Sequence, residues 1–115
     1  MNNPLLEQKC TALKGSEHLL STVQCESQLA LLNDWQITAS GKELKKTVRF
    51  ENYYQTMAFV NALAYIAHYE DHHPDLSVHY NRCEIRFCTH DVGGLSINDF
   101  ICAAKTDALL SNQFI

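Results

Sequence analysis

A regular pattern of apolar and polar residues becomes clear after residue 20, and its first part indicates a short helix. Its apolar residues recur at helical spacing, at Cys25, Leu29 and Leu32. Ser21, with Gln24 three residues later, has the sequence of a capping box, in which each side chain bonds the backbone amide of the other residue. The Asn33-Asp34 pair then interrupts the apolar spacing. We therefore predict a first helix that starts after Ser21 and ends before Asn33.

Two stretches in which apolar and polar residues alternate predict two β-hairpins. The first alternates at Trp35, Ile37 and Ala39 and again at Leu44, Val48 and Phe50, around a turn at residues 40–42. The second alternates at Leu76, Val78 and Tyr80 and again at Cys83, Ile85 and Phe87, around a turn at residues 81–82.

A long helix is predicted between the hairpins, over residues 52–70. Asn52 can cap its start, and Pro74 excludes His73 from the helical region, so the helix should end at or near His72. Its apolar residues lie nearly all round the helix, at Tyr54, Met57, Phe59, Val60, Leu63, Ile66 and Tyr69. Such a helix has two faces to bury, and a small domain covers only one of them. We therefore expect self-association through residues 52–70, as a homodimer or a homotetramer.

A last helix completes an α-ββ-α-ββ-α order. Ser96 opens it, Asp99 stands at its third position, and its apolar stripe is Ile97, Phe100, Ile101, Ala104 and Ala108. Grouped hairpins favour a four-stranded antiparallel sheet with helices on one face, an α+β two-layer sandwich. Residues 1–20 lack periodicity and are predicted to form an N-terminal arm beside a single domain of residues 21–115.

Composition excludes several classes of function. The chain has 115 residues, of which 46% are hydrophobic, so it holds one core. A net charge of −4 without a basic run disfavours nucleic-acid binding. Five cysteines without a C-x-x-C pair favour reduced thiols and a cytoplasmic location. No stretch has the apolar length of a signal peptide or a membrane span, so we expect neither.

Histidines are concentrated where chemistry is expected. Four lie between His68 and His79, and His90 follows just beyond a predicted strand. An imidazole has an unperturbed pKa of about 6.5 and can donate or accept a proton near neutral pH. The His72-His73 pair falls at the break before Pro74, where an irregular backbone allows both rings to line one pocket. Helix macrodipole stabilisation is the simpler explanation of a histidine there, and capping is the simpler explanation of Asp99.

Several of these residues together resemble the signature of the pterin-4a-carbinolamine dehydratase family. They are His72-His73-Pro74, Tyr80, His90 and Asp99, which match that signature in order and spacing. The start of the first hairpin at Trp35 and the stretches 48–53 and 89–96 are also similar to the family. The resemblance covers roughly residues 20–110 and combines several spaced motifs, which makes it more specific than any single histidine motif.

The resemblance implies a hydro-lyase that removes water from a 4a-hydroxytetrahydropterin to give a quinonoid dihydropterin. It implies that His72, His73 and His90 are catalytic. As a mechanistic hypothesis, we assign His72 and His90 as an acid/base pair that exchanges roles and His73 as the residue that holds and polarises the substrate. The substrate contacts that it implies, partly through main-chain atoms, are Asp71, His72, His73, Cys88, Thr89, His90 and Asp91. No metal or cofactor is implied, whereas a functional link to an aromatic amino acid hydroxylase is. His68 departs from the family, in which this position is often acidic.

Two other hypotheses stay open at this point. His68 and His72 have the i, i+4 spacing of zinc ligands, with His79, His90 or Cys88 as a third ligand, although no glutamate stands at the metalloprotease position. The chain could instead be a dimerisation or assembly module without chemistry. Three convergent titratable imidazoles would favour the enzyme, because a binding module does not need them.

Overall fold

Three helices and four strands follow one another in the predicted order α-ββ-α-ββ-α. The structure, a computed structural model, describes residues 3–113, except for the side chains of residues 112 and 113. The elements are α1 (Thr22–Leu29), β1 (Gln36–Ile37), β2 (Leu44–Arg49), α2 (Tyr53–Glu70), β3 (Asp75–His79), β4 (Arg82–Phe87) and α3 (Ile97–Gln113). Short 3-10 turns occur at Pro4–Glu7, Ser16–His18 and His90–Val92.

The two hairpins join into one antiparallel sheet with the strand order β1-β2-β4-β3. Strands β2 and β4 form its centre, where Leu44 is opposite Phe87 and Val48 is opposite Cys83. The buried residues of β4 alternate as Cys83, Ile85 and Phe87. These side chains share one face of the sheet, and α2 and α3 cover that face. The predicted α+β two-layer sandwich is confirmed.

Large apolar side chains from both layers meet in one core. Phe59 and Leu63 of α2 and Phe100 of α3 are fully buried. Trp35 packs near Phe87, with ring centroids 5.9 Å apart. The core thus lies directly behind the end of β4, which leads into the segment that carries His90.

The predicted N-terminal caps of α1 and α2 are confirmed. Ser21 Oγ accepts from the amide of Gln24, and Gln24 Oε1 accepts from the amide of Ser21, at 3.2 and 2.8 Å. Asn52 Oδ1 accepts from the amide of Gln55 at 2.9 Å. Helix α1 ends at Leu29, before the end of the apolar pattern, and residues 30–34 form turns and bends instead.

Helix α2 has one buried face and one exposed face in the single chain. Phe59 and Leu63 are 0% exposed, whereas Tyr54 and Tyr65 are 82% and 69% exposed. The second apolar face is therefore available for a partner, and self-association stays a prediction. Within residues 3–113, no helix combines the length and the apolar character needed to cross a membrane.

The N-terminal arm lies against the rest of the molecule. Leu5 and Cys10 are buried, and the turn Pro4–Glu7 packs on α3. The five cysteines are free, and only Cys88 among them is more than slightly exposed.

Candidate active site

The end of α2 sets the direction of the histidine pair. Asp71 adopts a left-handed conformation, with φ 52° and ψ 42°. The amides of Asp71 and His72 then donate to the carbonyls of His68 and Ala67, the two bonds of a Schellman motif. The helix therefore ends at Glu70, slightly earlier than Pro74 alone predicted, and His72 stays tied to its last turn.

His72 is held by a buried carboxylate from another helix. Its Nε2 lies 2.6 Å from Oδ1 of Asp99, in the first turn of α3. The His72 ring also stacks on Phe87, with centroids 6.0 Å apart and planes 10° apart. The side chains of His72 and Asp99 are 12% and 0% exposed. The His72 ring is thus fixed in position by a hydrogen bond at its edge and by stacking on the ring of Phe87.

Asp99 is itself fixed by two further donors. Its Oδ2 accepts from Thr89 Oγ1 at 2.7 Å and from the backbone amide of Ser96 at 2.9 Å. Because a carboxylate only accepts, we assign the proton on Nε2 of His72 to the bond with Oδ1. A neutral His72 ring then presents Nδ1 as a proton acceptor.

A cavity of about 440 Å³ opens beside this His72–Asp99 pair. Every residue that the sequence resemblance implied as a substrate contact lines it: Asp71, His72, His73, Cys88, Thr89, His90 and Asp91. The structure therefore brings the three predicted catalytic histidines to one cavity. Their roles in catalysis stay predictions.

The loop after β4 carries His90 to the cavity. A bridge between Thr89 and Gly94 closes this loop, and the Gly94 carbonyl accepts from the Thr89 amide at 2.8 Å. Gly93 adopts φ +87°, which favours glycine. A second cavity of about 410 Å³ shares Cys88, Thr89 and His90 with the first, so these residues separate two neighbouring cavities.

The zinc hypothesis loses its support in this arrangement. Among residues 3–113, no group of three histidine, cysteine or acidic side chains is placed to hold a metal ion. His68 is exposed, and Nε2 of His72 is occupied by Asp99. Burial, and then the nearby charge of Asp99, raises the pKa of the Cys88 thiol, which disfavours the thiolate that metals bind.

Two features of the site were not assigned a role from the sequence. Asp99 was explained as a helix cap, and it does bond the Ser96 amide, yet its other oxygen holds His72. The sequence signal for a role of Asp99 beyond capping was its place in the family signature. Residues 11–14 of the N-terminal arm also line the cavity, and no sequence pattern indicated this.

Comparison with known proteins gives a consistent result. The family model described as pterin 4 alpha carbinolamine dehydratase matches residues 18–109. A relative from Stenotrophomonas maltophilia (strain R551-3) is 58% identical over 92% of this chain and 91% of its own length. A relative from Chromobacterium violaceum is 59% identical over 91% of this chain and 94% of its own length. Both carry the provisional name pterin-4-alpha-carbinolamine dehydratase.

Two solved structures share the fold. A transcriptional coactivator/pterin dehydratase from Brucella melitensis superposes with a TM-score of 0.76 and 26% identity, over 78% of this chain and 96% of that one. A pterin dehydratase-like protein, identified as a RuBisCO assembly factor in the alpha-carboxysome, superposes with a TM-score of 0.58 and 27% identity. That match covers 67% of this chain and 89% of the other.

Proposed function

The chain belongs to the pterin-4a-carbinolamine dehydratase family, and we propose that it removes water from a 4a-hydroxytetrahydropterin to give the quinonoid dihydropterin. One observation carries this proposal: His72, His73 and His90 line a single cavity. Its volume of about 440 Å³ lies within the range of about 300–1,000 Å³ typical of small-molecule sites.

The reaction needs one proton delivered and one proton removed. The C4a–O bond breaks as the hydroxyl takes up a proton and leaves as water. The N5–H bond gives up its proton, and its electron pair forms the C4a=N5 double bond. Two imidazoles of opposite protonation state can perform both transfers, and each turnover exchanges their states.

We assign removal of the N5 proton to His72 and protonation of the leaving hydroxyl to His90. The hydrogen bond to Asp99 supports the first assignment, because it keeps the His72 proton on Nε2 and leaves Nδ1 as the acceptor. His90 is exposed at the cavity, where it can regain a proton from the solvent, and His72 gives up the proton that it took before the next turnover. His73, also exposed, holds and polarises the substrate.

Asp99 acts in this scheme as a positioning residue. It fixes the tautomer and the orientation of His72 and stabilises the imidazolium that forms when His72 takes a proton. A buried carboxylate is well placed to do this, because its own position is fixed by Thr89 and Ser96.

The pterin is the substrate, and the proposed chemistry requires no metal or other cofactor. We propose a cytoplasmic enzyme of tetrahydropterin recycling that serves an aromatic amino acid hydroxylase. The exposed tyrosines of α2, Tyr54 and Tyr65, support a homodimer or a homotetramer built through this helix.

A non-catalytic assembly role is the other candidate, since one structural relative is a RuBisCO assembly factor. The His72–Asp99 pair favours catalysis, because an assembly surface has no physical need for a buried carboxylate that sets a histidine tautomer.

The proposal is tested by following the dehydration of a chemically generated 4a-hydroxytetrahydropterin. We expect the wild type to accelerate it and His72→Ala, His73→Ala and His90→Ala to lose activity, most strongly at His72 and His90. Full activity in a protein that carries both His72→Ala and His90→Ala would refute the assignment. His68→Ala is a matched control, because it removes an exposed imidazole that does not line the cavity.

A further inference from the structure

The N-terminal arm supplies one wall of the cavity. Residues Thr11, Ala12, Leu13 and Lys14 line it, although they precede residues 18–109, which the family model matches. The arm has no regular secondary structure here, so its position depends on bonds to the rest of the molecule.

The upstream end of this wall is fixed by side chains that reach it from the helices. The side chain of Asn98, in α3, bonds both the amide and the carbonyl of Thr11. Its Nδ2 donates to the Thr11 carbonyl at 2.7 Å, and its Oδ1 accepts from the Thr11 amide at 3.3 Å. The buried carboxylate of Glu70 accepts from the amide of Cys10 at 2.8 Å and from Lys105 Nζ at 2.5 Å.

The downstream end is fixed to the histidine loop. The amide of Gly15 donates to the carbonyl of Asp91 at 3.1 Å. Asn98 and Asp99 are consecutive residues in the first turn of α3, so one helical turn positions both the arm and the His72 ring. The spacing between these two walls of the cavity is therefore set by a single rigid element.

Between these anchors, the backbone is free to bind. Within the part of the chain that the structure describes, the peptide groups of Ala12, Leu13 and Lys14 make no hydrogen bond to other residues. A chain held at both ends with free amides and carbonyls between them offers alternating donors and acceptors. Lys14 lines the same wall, and its side chain ends in an ammonium group, a strong donor.

We propose that residues 12–14 bind the 2-amino-4-oxo edge of the pterin ring, with Lys14 as a further specificity-determining residue. That edge offers an amino group and N3–H as donors and the O4 carbonyl as an acceptor. Free peptide groups match the donors and acceptors of this edge, and the Lys14 ammonium matches the O4 carbonyl. The proposal rests on the proposed dehydratase function and places ring recognition opposite the acid/base histidines.

The test compares Lys14→Ala with the wild type in the dehydration assay and in titration with 7,8-dihydrobiopterin. We expect Lys14→Ala to weaken binding and raise KM by about tenfold, the size of one charge-assisted hydrogen bond, with kcat changed less than about twofold. Lys14→Arg should restore much of the affinity. Lys45→Ala is the matched control, because it removes the same charge from β2, away from this cavity.

Hydrogen exchange provides a readout that does not depend on catalysis. Saturating 7,8-dihydrobiopterin should slow exchange of the amides of residues 12–14 in the wild-type protein. Unchanged KM in Lys14→Ala, with no added protection of these amides, would overturn the inference while the dehydratase function stands. A wild-type protein without pterin turnover or binding would overturn both.

Discussion

Asp99→Asn is the substitution that most sharply separates a positioning role from a structural one. The carboxylate of Asp99 accepts three hydrogen bonds, from His72, Thr89 and Ser96. In Asp99→Asn, the two carboxylate oxygens are replaced by one oxygen, which accepts hydrogen bonds, and one NH₂ group, which donates them. The backbone amide of Ser96 can only donate, so the asparagine oxygen should face Ser96 and Thr89. Its amide then faces Nε2 of His72.

This orientation reverses the tautomer of His72. Nε2 must accept from the new amide, so the proton of the neutral ring moves to Nδ1. The nitrogen that we propose as the base becomes a donor. We expect kcat to fall by about 10²–10⁴-fold, the usual contribution of a general acid or base, with a smaller effect on KM. Loss of hydrogen bonds to a charged acceptor should also cost about 1.5–3 kcal/mol of the free energy of unfolding.

Asp107→Asn is the matched control. Asp107 is also a buried carboxylate in α3, and it accepts from Trp35 Nε1 at 2.9 Å and from Lys46 Nζ at 2.8 Å, away from the cavity. We expect this variant to lose stability and keep kcat. Turnover of both variants at saturating substrate, with thermal unfolding and ¹⁵N NMR of the His72 ring, makes the comparison. If Asp99→Asn kept kcat within about twofold of the wild type, the tautomer argument would be wrong.

Three other predictions concern stability and assembly. Burial alone would raise the pKa of Glu70, but bonds from Lys105 and the Cys10 amide outweigh it and lower that pKa from its ordinary 4.5. The wild type should therefore exceed Glu70→Gln in free energy of unfolding by its full amount above about pH 4.5, and this difference should shrink as pH falls through the lowered pKa. Chemical denaturation measures the difference, and a constant value down to pH 2 would contradict the prediction. The added Cβ of Gly93→Ala would meet no atom within 4 Å, so the substitution should lower the free energy of unfolding only by the backbone strain at φ +87°, about 1 kcal/mol. An unchanged melting temperature would exclude that strain. Tyr54→Glu with Tyr65→Glu should convert the protein to monomers in light scattering, and a wild-type monomer would refute association through α2.

The sequence predicted those parts of the fold that local rules control. The caps at Ser21 and Asn52 need only a side chain and an amide three residues later, so they could be read directly. The hairpins followed from alternation, since one face of the sheet is buried. The end of α2 near Pro74 was also predicted, but not its exact residue, because that depends on the left-handed conformation of Asp71, which is uncommon for a residue other than glycine.

The candidate site was predictable only where its residues carry a chemical signal. The histidines could be identified because their number and spacing resemble a known family. Asp99 could not be separated from a cap by local reasoning, because its bond to His72 spans 27 residues and its bond to Ser96 already explains it. The arm left no pattern, since Asn98 and Glu70 position it through contacts that span 87 and 60 residues.

A crystal structure of the protein with 7,8-dihydrobiopterin tests most directly the claim that three imidazoles and the arm surround one heterocycle. We predict that the ring lies between Nδ1 of His72 and the ring of His90, with its 2-amino-4-oxo edge against residues 12–14. A pterin bound outside this cavity, or one beyond hydrogen-bonding distance of both histidines, would contradict the proposed mechanism.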